Sequence, residues 1–431
     1  MEIPRHSPAA DDVHAPWHVS RKYAWVVFAV TFCLLLSDYM SRQVLNAVFP
    51  HLKAEWMLSD ARLGALSGVV SFAVGVLAFP LSLLADRWGR VRSLVLMAAL
   101  WSAATLGCAI AQNFQHMFAA RFLVGVGEAA YGSVGLAVVL SVFPARLRAT
   151  ITGTFLAGGM IGSVLGISAG GLLADQFGWR AAFAGMAVFG LLLTICYPFV
   201  VREERIARAS PLVANAAAAP KPKLRSIVGN RSVICAYLGS GIQVFVSGAL
   251  LAWLPSYLNR YYDMPVAKAA MVAAVFVLTS AAGMTICGNL CDRIGRNSPA
   301  AKLSLAVAYC LTCFVLLSVA FSLPPGAMQL VLIGLGMFVG AGTVGPAGAM
   351  VANLTPAPLH GTAFATLSLA NNLLGLAPGP IVVGLLADAH DLGTALQFVP
   401  LAGLASAFVF ACARHRYRHD LQHAGVQVEA A

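Results

Sequence analysis

Charge is scarce in this chain. Only 10% of its 431 residues are Asp, Glu, Lys or Arg, while 59% are hydrophobic and the mean hydropathy is +0.79. A soluble domain of this length has too little interior to hide that much apolar side chain. Familiar enzyme signatures are missing too: there is no HExxH and no glycine loop ending in GK[ST]. Histidine is absent from the middle of every long apolar stretch, so no metal site is expected, nor any cofactor. The Cys310–Cys313 and Cys287–Cys291 pairs are therefore read as small apolar packing residues. No signal-peptide pattern precedes the first apolar stretch, which is too long for a cleaved segment.

What the chain does hold is apolar stretches of spanning length, ~20 residues each. Twelve are expected, near 24–48, 62–84, 93–112, 116–142, 150–174, 180–200, 230–258, 266–290, 302–322, 327–351, 362–387 and 394–413. They come in two sets. LLADRWGR (83–90) returns as NLCDRIGR (289–296), 206 residues later. Phe49-Pro50 returns as Leu254-Pro255, VGVGEAAYGSVG (124–135) as IGLGMFVGAGTVG (333–345), and the GLLAD run at 171–175 as GLLAD at 384–388. The matches keep their order, as a duplication with small insertions would. A membrane chain built from two similar halves is the usual architecture of a secondary transporter.

The net charge of +11 would suggest nucleic acid on a soluble domain, but its distribution argues otherwise. With the N-terminus placed in the cytoplasm, 21 of the 28 basic residues fall in loops and tails on that side. The other side holds five: Lys53, Arg62, Arg180, Arg260 and Lys268. This asymmetry predicts cytoplasmic termini in an inner (plasma) membrane. The bilayer, a small molecule and protons are then the expected partners, with no nucleic acid and a monomer as the default. The expected organisation is a tail over 1–22, a six-helix bundle over 23–200, a cytoplasmic Ala/Pro-rich linker over 201–229, a second bundle over 230–413 and a tail over 414–431.

Charges inside the spans carry most of the functional information: Asp38 and Arg42 in the first, Arg121 and Glu128 in the fourth. Residues four apart share a helix face, as do residues two turns apart. Each charge at mid-bilayer costs at least ~2.5 kcal/mol, so the four must pair or face a watery cavity. At the repeat spacing Asp38 maps to Gln243, Arg42 to Ser247 and Glu128 to Met337, leaving the second half neutral. A structural salt-bridge cluster is the bland alternative. In the second half, Gln243, Phe245, Ser247, Trp253, Tyr257, Asn371 and Asn372 are candidates for a cavity wall. The bland reading for the aromatics is helix packing.

The two D-R-x-G-R loops, RFLVGVGEAAY (121–131) and the six-plus-six layout resemble the major facilitator superfamily over nearly the whole chain. GWRAAF (178–183) and NNLLGLAPGP (371–380) are similar to its spinster-like and anion:cation symporter branches. The resemblance implies an all-α membrane protein with the major facilitator fold, twelve transmembrane helices in two pseudo-symmetric six-helix bundles. It implies conformational gating by Asp86, Arg87, Gly89, Arg90, Asp292, Arg293, Gly295 and Arg296, with the Asp near a neighbouring helix N-terminus. It also implies substrate and proton positions at Arg121 and Glu128, with Arg42, Tyr39 and Tyr131 nearby.

The first span departs from the pattern. Relatives often read N-Y-x-D-R-Q, whereas this chain reads Asp38-Tyr-Met-Ser41-Arg-Gln. Asp38 is expected to take over the displaced acid's role, so that Asp38 and Glu128 couple protons. The alternative is Glu128 alone, or no proton coupling. An anion on Arg121 would compete for the arginine that holds Glu128 ionised, linking proton and substrate. The expected function is an alternating-access transporter, coupled to protons, of a small organic anion or amphiphile, lysolipid included. Competing readings are a multidrug or metabolite efflux antiporter, an uncoupled facilitator, and a membrane-embedded enzyme or receptor. Against the enzyme reading, the glycines of GVGEAAYG lie inside a span and make no dinucleotide site.

Overall fold

The computed structural model describes residues 19–208, 230–295, 299–356 and 359–423. Most of the two tails, the linker over 209–229 and Arg296 lie outside the described residues. Twelve helices are long and apolar enough to cross a membrane, as the hydropathy pattern predicts. Spans 1 to 6 are Arg21–Trp56, Asp60–Ala85, Arg90–Ala109, Phe114–Val142, Thr150–Phe177 and Trp179–Val200. Spans 7 to 12 are Arg231–Tyr261, Val266–Ile294, Ala301–Ser322, Ala327–Leu354, His360–Ala389 and Leu392–His415. Apart from the linker between spans 6 and 7, the turns are short, and several helices are capped by side chains. Ser20, Ser59, Asn113 and Asn230 each accept a backbone N–H of the helix that follows.

Packing repeats with the sequence. Span 1 lies on span 5, span 2 on span 4 and span 3 on span 6; in the second half, 7 lies on 11, 8 on 10 and 9 on 12. The halves meet along span 2 against span 11 and span 5 against span 8. Small residues make those approaches possible. A side chain begun at Gly64 or Gly68 would run into the carbonyls of Pro380 or Ala377, and one at Gly171 into Ala270. The run GISAG (166–170) has the spelling of a hydrolase nucleophile turn, but it lies within one unbroken helix. Gly166 and Gly170 bring that helix onto Met40 and Val44 of span 1, so the run serves packing.

Two spans expected to be continuous are interrupted. Span 4 is helical over Phe114–Glu128 and again over Tyr131–Val142, and span 10 over Ala327–Ala341 and Val344–Leu354. Both interruptions fall within the duplicated glycine-rich run. Span 11 carries a π-helical turn over Asn371–Leu376, a feature frequent at functional positions.

The bundles close on the face opposite the termini. Phe49 packs on Trp253 with ring centroids 5.2 Å apart, and Trp253 Nε1 donates to the Pro380 carbonyl at 2.9 Å. Toward the terminal face, spans 5 and 8, which touch at Gly171 and Ala270, leave open space: at Gly153 and Gly288 nothing lies within 4 Å of where a side chain would start. Outside the spans, Asp391 accepts from Thr394 and from Tyr261 Oη, and these bonds hold its carboxyl down to about 2.

Gly283 sets the span 8 to span 10 contact, since a Cβ there would meet the backbone of Phe338. We expect Gly283→Val to lower the melting temperature in detergent by several degrees, from overpacking of ~1–3 kcal/mol. Gly288→Ala, with open space, is expected to leave it unchanged.

Candidate functional site

Glu128 is the last residue before the interruption of span 4, which fixes its carboxylate toward span 1. Arg42 Nε and Nη2 both donate to Glu128 Oε2, at 3.0 and 2.8 Å. The Glu128 side chain is fully buried, whereas 16% of the Arg42 side chain stays accessible. One turn earlier on span 1, Asp38 is buried beside both groups. Asp38 Oδ1 and Glu128 Oε1 have no hydrogen-bond partner. Glu128 is thus the carboxyl bonded to the guanidinium, Asp38 lies buried beside the pair, and each acid keeps an oxygen without a hydrogen-bond partner. The Tyr39 ring lies under that guanidinium, 5.6 Å from centroid to Cζ.

Arg121 differs from its expected role. The sequence suggests it as the partner of Glu128 and as a substrate ligand. Instead its guanidinium donates to the carbonyls of Ser41, Arg42 and Leu66, at 2.9, 3.0 and 3.4 Å. Only 1% of the residue is exposed. Ser41 turns its hydroxyl back to the Ser37 carbonyl at 2.9 Å, and Arg121 takes up the nearby backbone. It therefore ties span 4 to spans 1 and 2, while Arg42 serves Glu128.

Other expected site residues disperse. Tyr131 Oη donates to the Thr31 carbonyl at 2.7 Å and its ring packs edge-on against Trp101, inside the first bundle. Gln243 turns toward Cys313, Gly340 and Gly403, in the interior of the second bundle. Trp253 belongs to the closed face. Asn371 and Asn372 fall on the π-helical turn. Asn371 Oδ1 accepts from Ser240 at 2.8 Å, and Asn372 Nδ2 donates to the Ser368 carbonyl at 2.9 Å, leaving Oδ1 buried and unpartnered.

At the duplicated loops, Gly89 has φ +95°, the left-handed region that favours glycine. The carboxylate at the N-terminus of span 3 is that of Glu203, from the short helix Glu203–Arg208. It accepts from Arg90 N at 3.0 Å and Val91 N at 2.7 Å. Arg87 and Arg293 are exposed, and Gly295 is the last described residue of the helix begun at Val266. Asp292 pairs with Lys302 at 3.2 Å. The Asp86 side chain and Arg296 lie outside the description. Sequence reasoning missed Glu203, whose only signal is an acid just after span 6. It also missed a polar string on span 1, where Asn46 bridges Gln43 (2.7 Å) and Ser67 (3.0 Å).

Residues 31–380 match the family model described as Major Facilitator Superfamily. The chain is 28% identical over 323 residues to an Escherichia coli (strain K12) protein named "Probable L-galactonate transporter", covering 71% of each chain. It is 25% identical over 414 residues to protein spinster homolog 1 of Xenopus laevis, covering 90% of this chain and 77% of that one. Among solved structures, a bacterial homolog to the human lysosomal transporter spinster, inward-facing and unoccupied, superposes with a TM-score of 0.85 at 19% identity. That match covers 93% of this chain and 99% of the other.

The different partners of the two arginines predict different pH behaviour. Arg121→Met strands three carbonyls at every pH, at a cost of about 3 kcal/mol. Because Arg121 is bonded to neither acid, its pH dependence should be the weaker of the two. Arg42→Met strands carboxylates that a proton can neutralise, so its destabilisation should be larger at alkaline than at acid pH. Thermal melts across pH check both.

Proposed function

Because the chain belongs to the Major Facilitator Superfamily and is spinster-like within it, we propose that this membrane transporter couples an organic anion or amphiphile to protons by alternating access. The observation that carries this reading is the Arg42–Glu128 pair with a second acid, Asp38, buried beside it, and Arg42, unlike Arg121, keeps an accessible side. With all four groups ionised, Asp38, Glu128, Arg42 and Arg121 sum to zero. A proton on the acid pair leaves one positive charge in excess, which a monoanion on Arg42 would cancel. Proton and anion then enter together, and the loaded centre is again neutral when the bundles rock. The substrate role expected at Arg121 passes to Arg42, with Tyr39 beside it and Asn371 and Ser240 as the polar part of the opposite wall.

The placement of basic residues supports cytoplasmic termini in an inner membrane, with the open space between spans 5 and 8 toward the cytoplasm. Transport requires no second copy of the chain. A monocarboxylate or a lysolipid-like amphiphile fits one accessible cation against a largely apolar, weakly polar wall.

The test is internal pH in proteoliposomes as monocarboxylates and a lysophospholipid are added. Substrate-dependent proton movement is expected in the native protein, with at least tenfold less in Glu128→Gln and in Asp38→Asn. Equal substrate flux without proton movement in all three would leave an uncoupled facilitator. Unchanged proton movement in Asp38→Asn alone would assign the proton to Glu128.

A further inference from the structure

The closed face carries a second charge cluster, separate from the central site. Asp60 opens span 2 and its side chain is 4% exposed. Lys53, at the end of span 1, donates to its Oδ1 at 2.7 Å. Arg260, from span 7 in the other bundle, donates to both of its oxygens at 2.7 and 2.8 Å. Asp388, at the end of span 11, also reaches across. Its carboxylate accepts from Asp60 N at 2.7 Å and Ala61 N at 2.9 Å. Those amides begin span 2 and have no partner within their own helix. A helix of one bundle is therefore capped by an acid of the other, where a carboxylate is favoured.

The duplication does not reproduce this cluster. At the offset of 205 that relates Phe49-Pro50 to Leu254-Pro255, Asp60 corresponds to Pro265 and Arg260 to Glu55. Glu55 pairs inside its own bundle, with Arg180 at 2.7 Å. Asp175, the repeat counterpart of Asp388, is exposed. Among the described residues, one flank alone is fastened by charge.

We propose that Asp60 is the pivot of a partner-exchange latch on the closed face. Arg260 and Asp388 hold the bundles together across the interface. Lys53, which moves with Asp60, keeps the buried carboxylate neutralised when Arg260 withdraws. Rigid-body separation of the bundles breaks the contacts of Arg260 and Asp388 and preserves that of Lys53. The two cations that touch Asp60 thus bias the conformational equilibrium in opposite directions: Arg260 favours the closed face, and Lys53 lowers the cost of opening it.

The experiment uses the full chain in nanodiscs without substrate, spin-labelled through p-acetylphenylalanine at Met57 and Asp263, so that the native cysteines stay unlabelled. Both positions are exposed on the closed face. Pulsed electron resonance reads the ratio of long to short distances. Arg260→Gln and Asp388→Asn are each expected to raise that ratio by about tenfold. Lys53→Gln, measured on the Asp388→Asn background where both states are populated, is expected to lower it by about fivefold. A rise with Lys53→Gln would overturn the proposal, making Lys53 one more closing contact. No change with Arg260→Gln would equally remove the latch. Arg260→Lys, which keeps one charged contact, should fall between native and Gln, and melting curves verify that each variant is folded. None of these readings depends on proton coupling at Glu128.

Discussion

Charge neutrality at the buried centre is the constraint on which the rest of this protein depends. An isolated charge at mid-bilayer costs at least ~2.5 kcal/mol, and breaking a buried pair costs about 3–5 kcal/mol. Two acids and two arginines lie within a few turns of spans 1 and 4. Glu128 answers Arg42, while Arg121 answers a set of carbonyls that only a closely packed helix could offer it. The interruption of span 4 follows directly after Glu128. In this centre a guanidinium is bonded to one carboxyl while a second acid lies buried beside the pair. Its net charge changes when a single proton arrives.

The two halves use one packing plan for different ends. Span pairs recur in the same order, and glycines let spans 2 and 11, and 5 and 8, touch nearly backbone to backbone. Against this symmetric frame the charges are placed asymmetrically. The first half holds the ionisable centre, and the second offers Ser240, Asn371 and a π-helical turn. The closed face is fastened by Asp60, Arg260 and Asp388 on one flank, with no counterpart on the other among the described residues. Motion between symmetric bodies can thus be governed by a few asymmetric contacts.

Much of the fold is legible in the chain because its signals are long: twelve apolar runs, two copies of D-R-x-G-R and a steady repeat offset. Site residues were visible as types. Asp38, Arg42, Arg121 and Glu128 stand out because charge is rare in such segments. Their pairing was not visible, since helix periodicity gives a face but not the rotation of one helix against another. Arg121 illustrates the limit. Spacing puts it on the face of Glu128, but its guanidinium meets the backbone carbonyls of spans 1 and 2 instead. Gln243 illustrates another: its repeat position matches Asp38, yet its amide turns inward toward Cys313. Glu203, Asp60 and Arg260 escaped notice because acids and bases near span ends are common. Their roles come from helix termini supplied by distant parts of the chain. Asp388 alone carried a sequence mark, the repeated GLLAD, without an indication of its use.

The central claim is that Asp38 and Glu128 share a proton beside Arg42, and carboxyl infrared difference spectroscopy in lipid tests it most directly. Difference spectra are taken at fixed pH as a monocarboxylate is added. The account predicts a protonated-carboxyl band that grows with the anion in the native protein and is lost in Glu128→Gln or Asp38→Asn. A spectrum with no such band, identical in the native protein and both variants, would contradict it and leave Arg42 and Glu128 as a fixed structural pair.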